Sequence, residues 1–390
     1  MKTMTTAVAA VLAAGGLFAA VSPTDFTGTD SERIAKAVAA ACEKGDRTVC
    51  VPAKPDGAAW MIDRAILLPS DFTLELDGCL VQLAPGTRDN LIRNAGAVEQ
   101  DKVTPNSNIV IRGRNGATLC GGTDNHYAPN ISGDRNGYTT IGILLCAVDG
   151  FTIENLTLRE TQAWGVSVEN GCVNGRIAGL RFEDTNKMRN QDGVDIRKGC
   201  HDIVIEDITG VCGDDVVALT ALRSTKPRPA GKRSMQIGGN FPTDHDDVYN
   251  VTIRNVRARC AGGHGVIRFL CQDGIKMHHI ALSNVVDTTD VAQGHPPAQA
   301  TLRIGDVNYW SMCRAQNGDM HHITVDGVEA KGRLGVWIKG ALADSELRNI
   351  TVPEGTRKYD ITAPIIRVTA EEGGGRSPFS GRGRRCHGQA

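Results

Sequence analysis

The chain reads as an all-β protein, a single parallel β-helix closed at its N-terminal end by one helix. Three observations predict this. One phrase recurs: a short alternating run, an Asn or Asp, a second run, then a Gly-containing turn. Phe151–Leu158, His201–Ile208 and Tyr249–Val256 are copies, and Met277-His278-His279-Ile280 and Met320-His321-His322-Ile323 open two more. Alternation of period two is strand chemistry, and recurrence at a fixed length marks a solenoid. Glycine is frequent, 45 of 390 residues, while aromatics make up 4%, which suits turn-rich β structure. Finally, after the first fifty residues no long helical pattern returns.

In chain order, Met1-Lys2, an Ala-rich apolar stretch from Ala7 to Val21 and Ser22-Pro23 resemble a secretory signal. An ordinary lead-in to the first coil is the other reading. Residues 1–22 are too short and weakly apolar to span a membrane. The signal implies a secreted or periplasmic protein; without it the chain would be cytoplasmic. Thr29-Asp30-Ser31-Glu32 is a capping box, and a helix is expected to about Cys42, with Ile34, Val38 and Ala41 as its apolar stripe. This helix would cover the open end of the solenoid and its unpaired strand edge.

One coiled domain is then expected over 23–370, with Ile153, Ile203 and Ile253 stacked in inward ladders. Residues 222–247 break the period with Pro227, Pro229, Gly231, Gly238, Gly239 and Pro242 and five basic residues. They read as an insertion, either one wall of a cleft or a solvated basic loop. Residues 371–390, rich in Gly and Arg, are expected to be a disordered tail.

Charge is balanced, 43 basic against 44 acidic residues. That argues against a nucleic-acid binder relying on global positive charge. The twelve cysteines include no CxxC pair. They read as small buried hydrophobes, with Cys42 and Cys50 the most local candidates for a disulfide. No zinc-ligand spacing appears, no metal or cofactor is expected, and a monomer is expected. Neighbours on a strand point to opposite faces, so His278-His279 and His321-His322 are read as turn and strand residues rather than chelating pairs. Asp244-His245-Asp246-Asp247 is read as a charged turn in preference to a calcium loop.

Chemistry gathers at three segments: Asp192-Gly193-Val194-Asp195-Ile196, Asp215-Val216-Val217-Ala218-Leu219 and His264-Gly265-Val266-Ile267-Arg268. Each has an ionisable residue at the head of a short β-like run. Residues one coil apart at the same position are neighbours, roughly 4.8 Å apart. Asp192, Asp214, Asp215 and His264 should therefore converge, His264 taking Asp215's position one coil on. Crowded carboxylates raise one another's pKa, and a protonated carboxyl is what a general acid needs to cleave a sugar linkage. A polysaccharide lyase or a non-catalytic carbohydrate-binding β-helix remain alternatives; Asp207 and Asn255 read as turn-closing ladder residues.

Asn190-Gln191-Asp192, Gly213-Asp214-Asp215 and Gly263-His264-Gly265 resemble, in order, three motifs of glycoside hydrolase family 28, the polygalacturonase family. The coil pattern that accompanies them covers roughly residues 23–365. The resemblance implies a right-handed β-helix of the pectin-lyase type and a pectin-related carbohydrate substrate. It implies Asp214 as general acid, Asp192 and Asp215 activating water in an inverting hydrolysis, and His264 supporting the acid. Asn190, Arg268 and Arg303 are the expected substrate-binding residues. The family's Arg-Ile-Lys signature is matched only by Arg303-Ile304-Gly305, so either Arg268, Lys276 or Lys339 supplies its cation or a neutral or differently decorated sugar sits there.

Overall fold

The structure is a computed structural model. It describes residues 20–372 apart from 88, 99–101, 123–140, 186–189, 224–243 and 307–313, together with the backbone of Gly375–Phe379. The expected signal up to residue 19, the body of the 222–247 insertion and residues 380–390 lie outside the described residues.

The chain forms a right-handed parallel β-helix. Ten short strands stack in one sheet, and the remaining seventeen form a second. Every pairing between named strands is parallel except the last, where Gly375–Phe379 runs back along Ile365–Glu372. The start of the expected disordered tail is therefore paired backbone. The long strands bend where a residue takes the left-handed conformation, as at Asp207 and Asn255, each with φ 57°. One strand such as His201–Cys212 thus serves two faces of the coil. Asn and Asp tolerate this conformation better than most residues. Their side chains form the expected ladder: Asn255 Nδ2 donates to Asp207 Oδ1 at 2.9 Å, and Asn284 Nδ2 to Asn255 Oδ1 at 2.8 Å.

Inward rows fill the core. Ile153, Ile177, Ile205, Ile253, Leu282, Val325 and Leu347 form one row. Ile203 belongs to the adjacent row with Val251 and Ile280, two residues from its expected place. A two-residue offset leaves the buried face unchanged, so apolar pattern alone does not distinguish the two registers.

The helix spans Asp30–Lys44, two residues longer than expected, and ends at Gly45 in the left-handed conformation. Both halves of the Thr29/Glu32 capping box are present. Ser31, Ile34, Ala37 and Ala41 are its buried face, while Val38 is only half-buried. Asp30 accepts from the Met61 N–H at 2.8 Å and Ser31 Oγ from the Asp63 N–H at 2.9 Å. The helix therefore satisfies edge donors as well as covering apolar core.

All ten described cysteines are free, and eight of them are buried. Cys42 and Cys50 do not pair. Cys50 lies in the outward row of its strand, in register with Glu75, turned away from the core between Val49 and Val51.

Candidate functional site

The site lies where several coils enter the ten-stranded sheet. Val194–Arg197, Val217–Ala221, Ile267–Cys271, Leu302–Ile304 and Leu334–Ile338 stack in that order. Their register sets Asp195, Ala218, Arg268, Arg303 and Trp337 side by side in one outward row. Three residues upstream, Asp192, Asp215 and Gly265 share a level, and Asp214 and His264 share the preceding one. Backbone bonds hold the levels together: Gly193 N–H donates to Asp215 O at 2.9 Å and Asp214 N–H to Gln191 O at 2.9 Å.

Asp192 and Asp215 are thus coil neighbours, as expected. His264 is displaced by one residue, because Val217 pairs with Ile267 and not with Val266. It stands beside Asp214, with Nδ1 3.8 Å from Asp214 Oδ1. Gly265 occupies Asp215's level. A Cβ there would lie 3.0 Å from Asp215 Oδ1 and 3.2 Å from Arg303 Cδ. The slip therefore leaves a glycine where the carboxylate and the guanidinium stem press closest.

Asp192, Asp214 and Asp215 each offer an oxygen within 4.8 Å of the others. Asp192 and Asp215 are buried; the Asp214 side chain keeps 13% exposure and His264 46%, so these two reach the surface. Oδ1 of each of the three aspartates is buried without a hydrogen-bond partner, and so is Oδ2 of Asp195. Burial, then the Asp215 charge, push the Asp214 carboxyl up to about 6, against the pull of His264 and Arg268. Burial pushes Asp192 well above the usual carboxylate range, reinforced by Asp195, Asp214 and Asp215. Asp195 moves the same way, chiefly through burial, with Arg197 opposing. The three clustered oxygens are also close enough for a divalent cation, which would require the acids ionised. Among the described residues the Asp244–Asp247 acids form no such group: Asp247 instead accepts the Lys276 N–H at 2.7 Å.

The basic residues are tied into the same network. Arg268 donates to Asp215 Oδ2 at 3.2 Å and to Asp306 Oδ2 at 2.8 Å. Arg303 donates to that same Asp306 oxygen at 2.7 Å. Its guanidinium also lies over the Trp337 ring, 4.9 Å from the centroid. Asp306 escaped the sequence reading, although an acid three residues after Arg303 was a signal for it. Asp195 was in plain view inside a motif, and its register beside the acid cluster appears only on folding.

Gly305 has φ 70°, and a Cβ there would run into the backbone of Gly340. No lysine fits that position. A lysine stands at that level one coil on: Ile304 pairs with Ile338, so Lys339 follows at Gly305's level, bound to Asp360 at 2.7 Å. Lys276 is held by Asp319 at 2.7 Å. Asn190 sits two residues before Asp192 in the left-handed conformation, φ 59°.

No protein-family model matches the sequence, and no curated protein matches it either. Solved structures do match. A polygalacturonase from Erwinia carotovora is 16% identical, over 87% of this chain and 94% of its own, with a TM-score of 0.53. An endo-xylogalacturonan hydrolase from Aspergillus tubingensis is 14% identical, over 90% and 91%, with a TM-score of 0.53. The tailspike of E. coli bacteriophage HK620, solved with a pentasaccharide, is 12% identical, over 89% and 66%, with the same TM-score. At such identities these likenesses establish the fold. No helix among the described residues is long and apolar enough to cross a membrane.

Proposed function

We propose that this protein is a polygalacturonase-like glycoside hydrolase, with Asp214 the acid that protonates the leaving glycosidic oxygen. The observation that carries this reading is the carboxyl of Asp214, raised to about 6 at the exposed rim of two buried aspartates. A general acid must hold its proton near working pH yet reach the substrate. Asp192 and Asp215 are the partners that hold the water, with Asp215, which accepts from Arg268, as the base that activates it, and His264 bears on the acid from 3.8 Å.

Inversion is the expected stereochemistry. Inverting enzymes usually hold their carboxyl groups ~6.5–9.5 Å apart and retaining ones ~5–5.5 Å. The nearest oxygens here are within 4.8 Å of one another; nearest-atom spacing runs shorter than the separation between whole groups. Burial supports inversion. A covalent nucleophile must touch the anomeric carbon, and neither Asp192 nor Asp215 offers an exposed carboxylate face. A water needs less room.

The substrate is read as a pectin-related glycan with a neutral sugar residue at the cleaved position. A uronate carboxylate needs an uncommitted cation. Arg268 and Arg303 are both committed to Asp306, and Lys339 to Asp360. Asp192, Asp195, Asp214 and Asp215 add carboxyl groups to the same pocket. The apolar N-terminal stretch supports export to an extracellular or periplasmic glycan.

The test is a panel of neutral and acidic pectic glycans incubated with wild type and Asp214→Asn. Reducing ends released from neutral linkages, with inverted anomers by NMR and none from the variant, are the expected result. Full activity in Asp214→Asn would remove the acid from its role. An ultraviolet-absorbing unsaturated product would make the protein a lyase, and binding without turnover would make it a lectin-like β-helix.

A further inference from the structure

The second sheet carries an outward row that the proposed hydrolysis does not use. His201, Tyr249, His278 and His321 are in register on successive coils. Tyr249 stacks on His278 with centroids 4.8 Å apart, and His278 on His321 at 4.9 Å with ring planes 5° apart. The following residue on each coil, Asp202, Asn250, His279 or His322, has a left-handed φ between 51° and 57°. Strict alternation would send His279 and His322 to the opposite face, as the sequence reading assumed. The left-handed corner breaks that alternation and returns them to the same side. His278 Nδ1 lies 2.7 Å from His279 Nδ1, and His321 Nδ1 lies 2.7 Å from His322 Nδ1. His279 and His322 also stack, at 4.9 Å and 5°.

We propose that His278, His279, His321 and His322 form a site for one divalent first-row transition-metal ion, of the Zn2+, Ni2+ or Cu2+ class. Imidazole nitrogen suits these ions. Two nitrogens 2.7 Å apart attract only if one carries hydrogen and the other a lone pair. That spacing is close to the cis separation of two ligands each about 2.0 Å from a metal. The ion takes the lone pairs of the Nδ1 atoms, and each ring keeps its hydrogen on Nε2, so neutral rings bind with no net loss of protons. The pairs lie one strand spacing apart, and one ion shared by all four requires these half-exposed and exposed rings to turn toward it.

The flanking coils support the assignment. At Asp202 the corner oxygens are taken by His201 and Asn250, and at Asp344 by Arg367. Only the two middle rungs carry a nitrogen ligand at both positions. Asp247 near His278, Asp344 near His321 and His322, and Lys276 near His321 are the charged groups around them. With their partners included, Asp247, Asp319 and Asp344 stand against Lys276 and Arg367, which leaves the surroundings favourable to a cation.

The test is calorimetric titration of the full chain with Zn2+ at neutral pH, in wild type, His279→Asn/His322→Asn and Asp192→Asn. Asparagine keeps the left-handed corner, as Asn250 does on the neighbouring coil, so the histidine variant should fold. One ion per chain is expected, with affinity lowered about tenfold or more in the histidine variant and kept in Asp192→Asn. A Zn2+-dependent rise in melting temperature should follow the same order. No Zn2+ uptake by wild type, unchanged affinity in the histidine variant, or loss of the ion in Asp192→Asn would each overturn the proposal. None of these readouts depends on hydrolysis, so the two proposals stand or fall separately.

Discussion

Two outward rows of the same coil behave in opposite ways. The corner row of Asp207, Asn255 and Asn284 repeats one chemistry, and each amide finds the oxygen of the coil before it. The row entering the ten-stranded sheet does not repeat: acids at 192 and 215 give way to glycine at 265, and alanine at 218 to arginines at 268 and 303. There, buried oxygens lack partners and carboxyls are forced toward their neutral forms. In a solenoid, repetition lets each rung satisfy the next, so stability accumulates by stacking. Where repetition stops and charge is left strained, the fold holds groups suited to chemistry.

This contrast can be broken by substitution. Asp214→Asn should lower kcat by ~10²–10⁴-fold, the usual worth of a general acid, while urea unfolding stays near wild type. A variant that loses stability but keeps its rate would place Asp214 with the structural ladder instead.

Arg268→Ala comes next. It strips Asp215 Oδ2 of its cation in a buried setting, and breaking such a pair costs ~3–5 kcal/mol. Equilibrium unfolding should show a loss of that order; a shift no larger than that of an exposed ion pair would mean Asp215 is solvated.

Titration sharpens the comparison. As the proposed acid, Asp214 must be protonated to act, and burial holds its carboxyl up at about 6. The rate should therefore fall about tenfold per pH unit on the alkaline side of that value. Stability has the same sign. A carboxyl raised on folding contributes stability fully present below its unfolded value of about 3.9 and lost as pH rises through about 6. Asp192 and Asp195 shift in the same direction. Melting should thus be higher at pH 5 than at pH 8, and Asp192→Asn should flatten that dependence. A pH-independent melting curve would contradict the buried cluster.

The smallest effect belongs to the ladder. Asn255→Ala removes one amide bonded to Asp207 and to Asn284, and a net hydrogen bond contributes ~0.5–1.5 kcal/mol. It should cost about 1–2 kcal/mol of stability once the left-handed φ is included, and leave hydrolysis untouched. A lost rate would tie the ladder to the site.

The repeat, the helix with its capping box, the inward apolar rows and the convergence of Asp192 with Asp215 were legible in the amino-acid order. Period and local caps act between residues close in sequence or at a constant step. Three readings needed coordinates. Ile203 moved by two residues within its face, and His264 by one at its corner. A left-handed residue then placed His278 and His279 on one side. The first two are errors of register and the third one of alternation, and each turns on corners that a pattern of apolar letters does not resolve.

The order of residues by itself determined that this chain coils, because alternation and spacing are properties of the polymer that each coil repeats. Which carboxyls strain against one another, which cations are committed to Asp306 and why Gly305 excludes a lysine were decided only by tertiary structure. Those properties arise from burial and from contacts between coils, through separations of a few ångströms that positions along the chain do not encode.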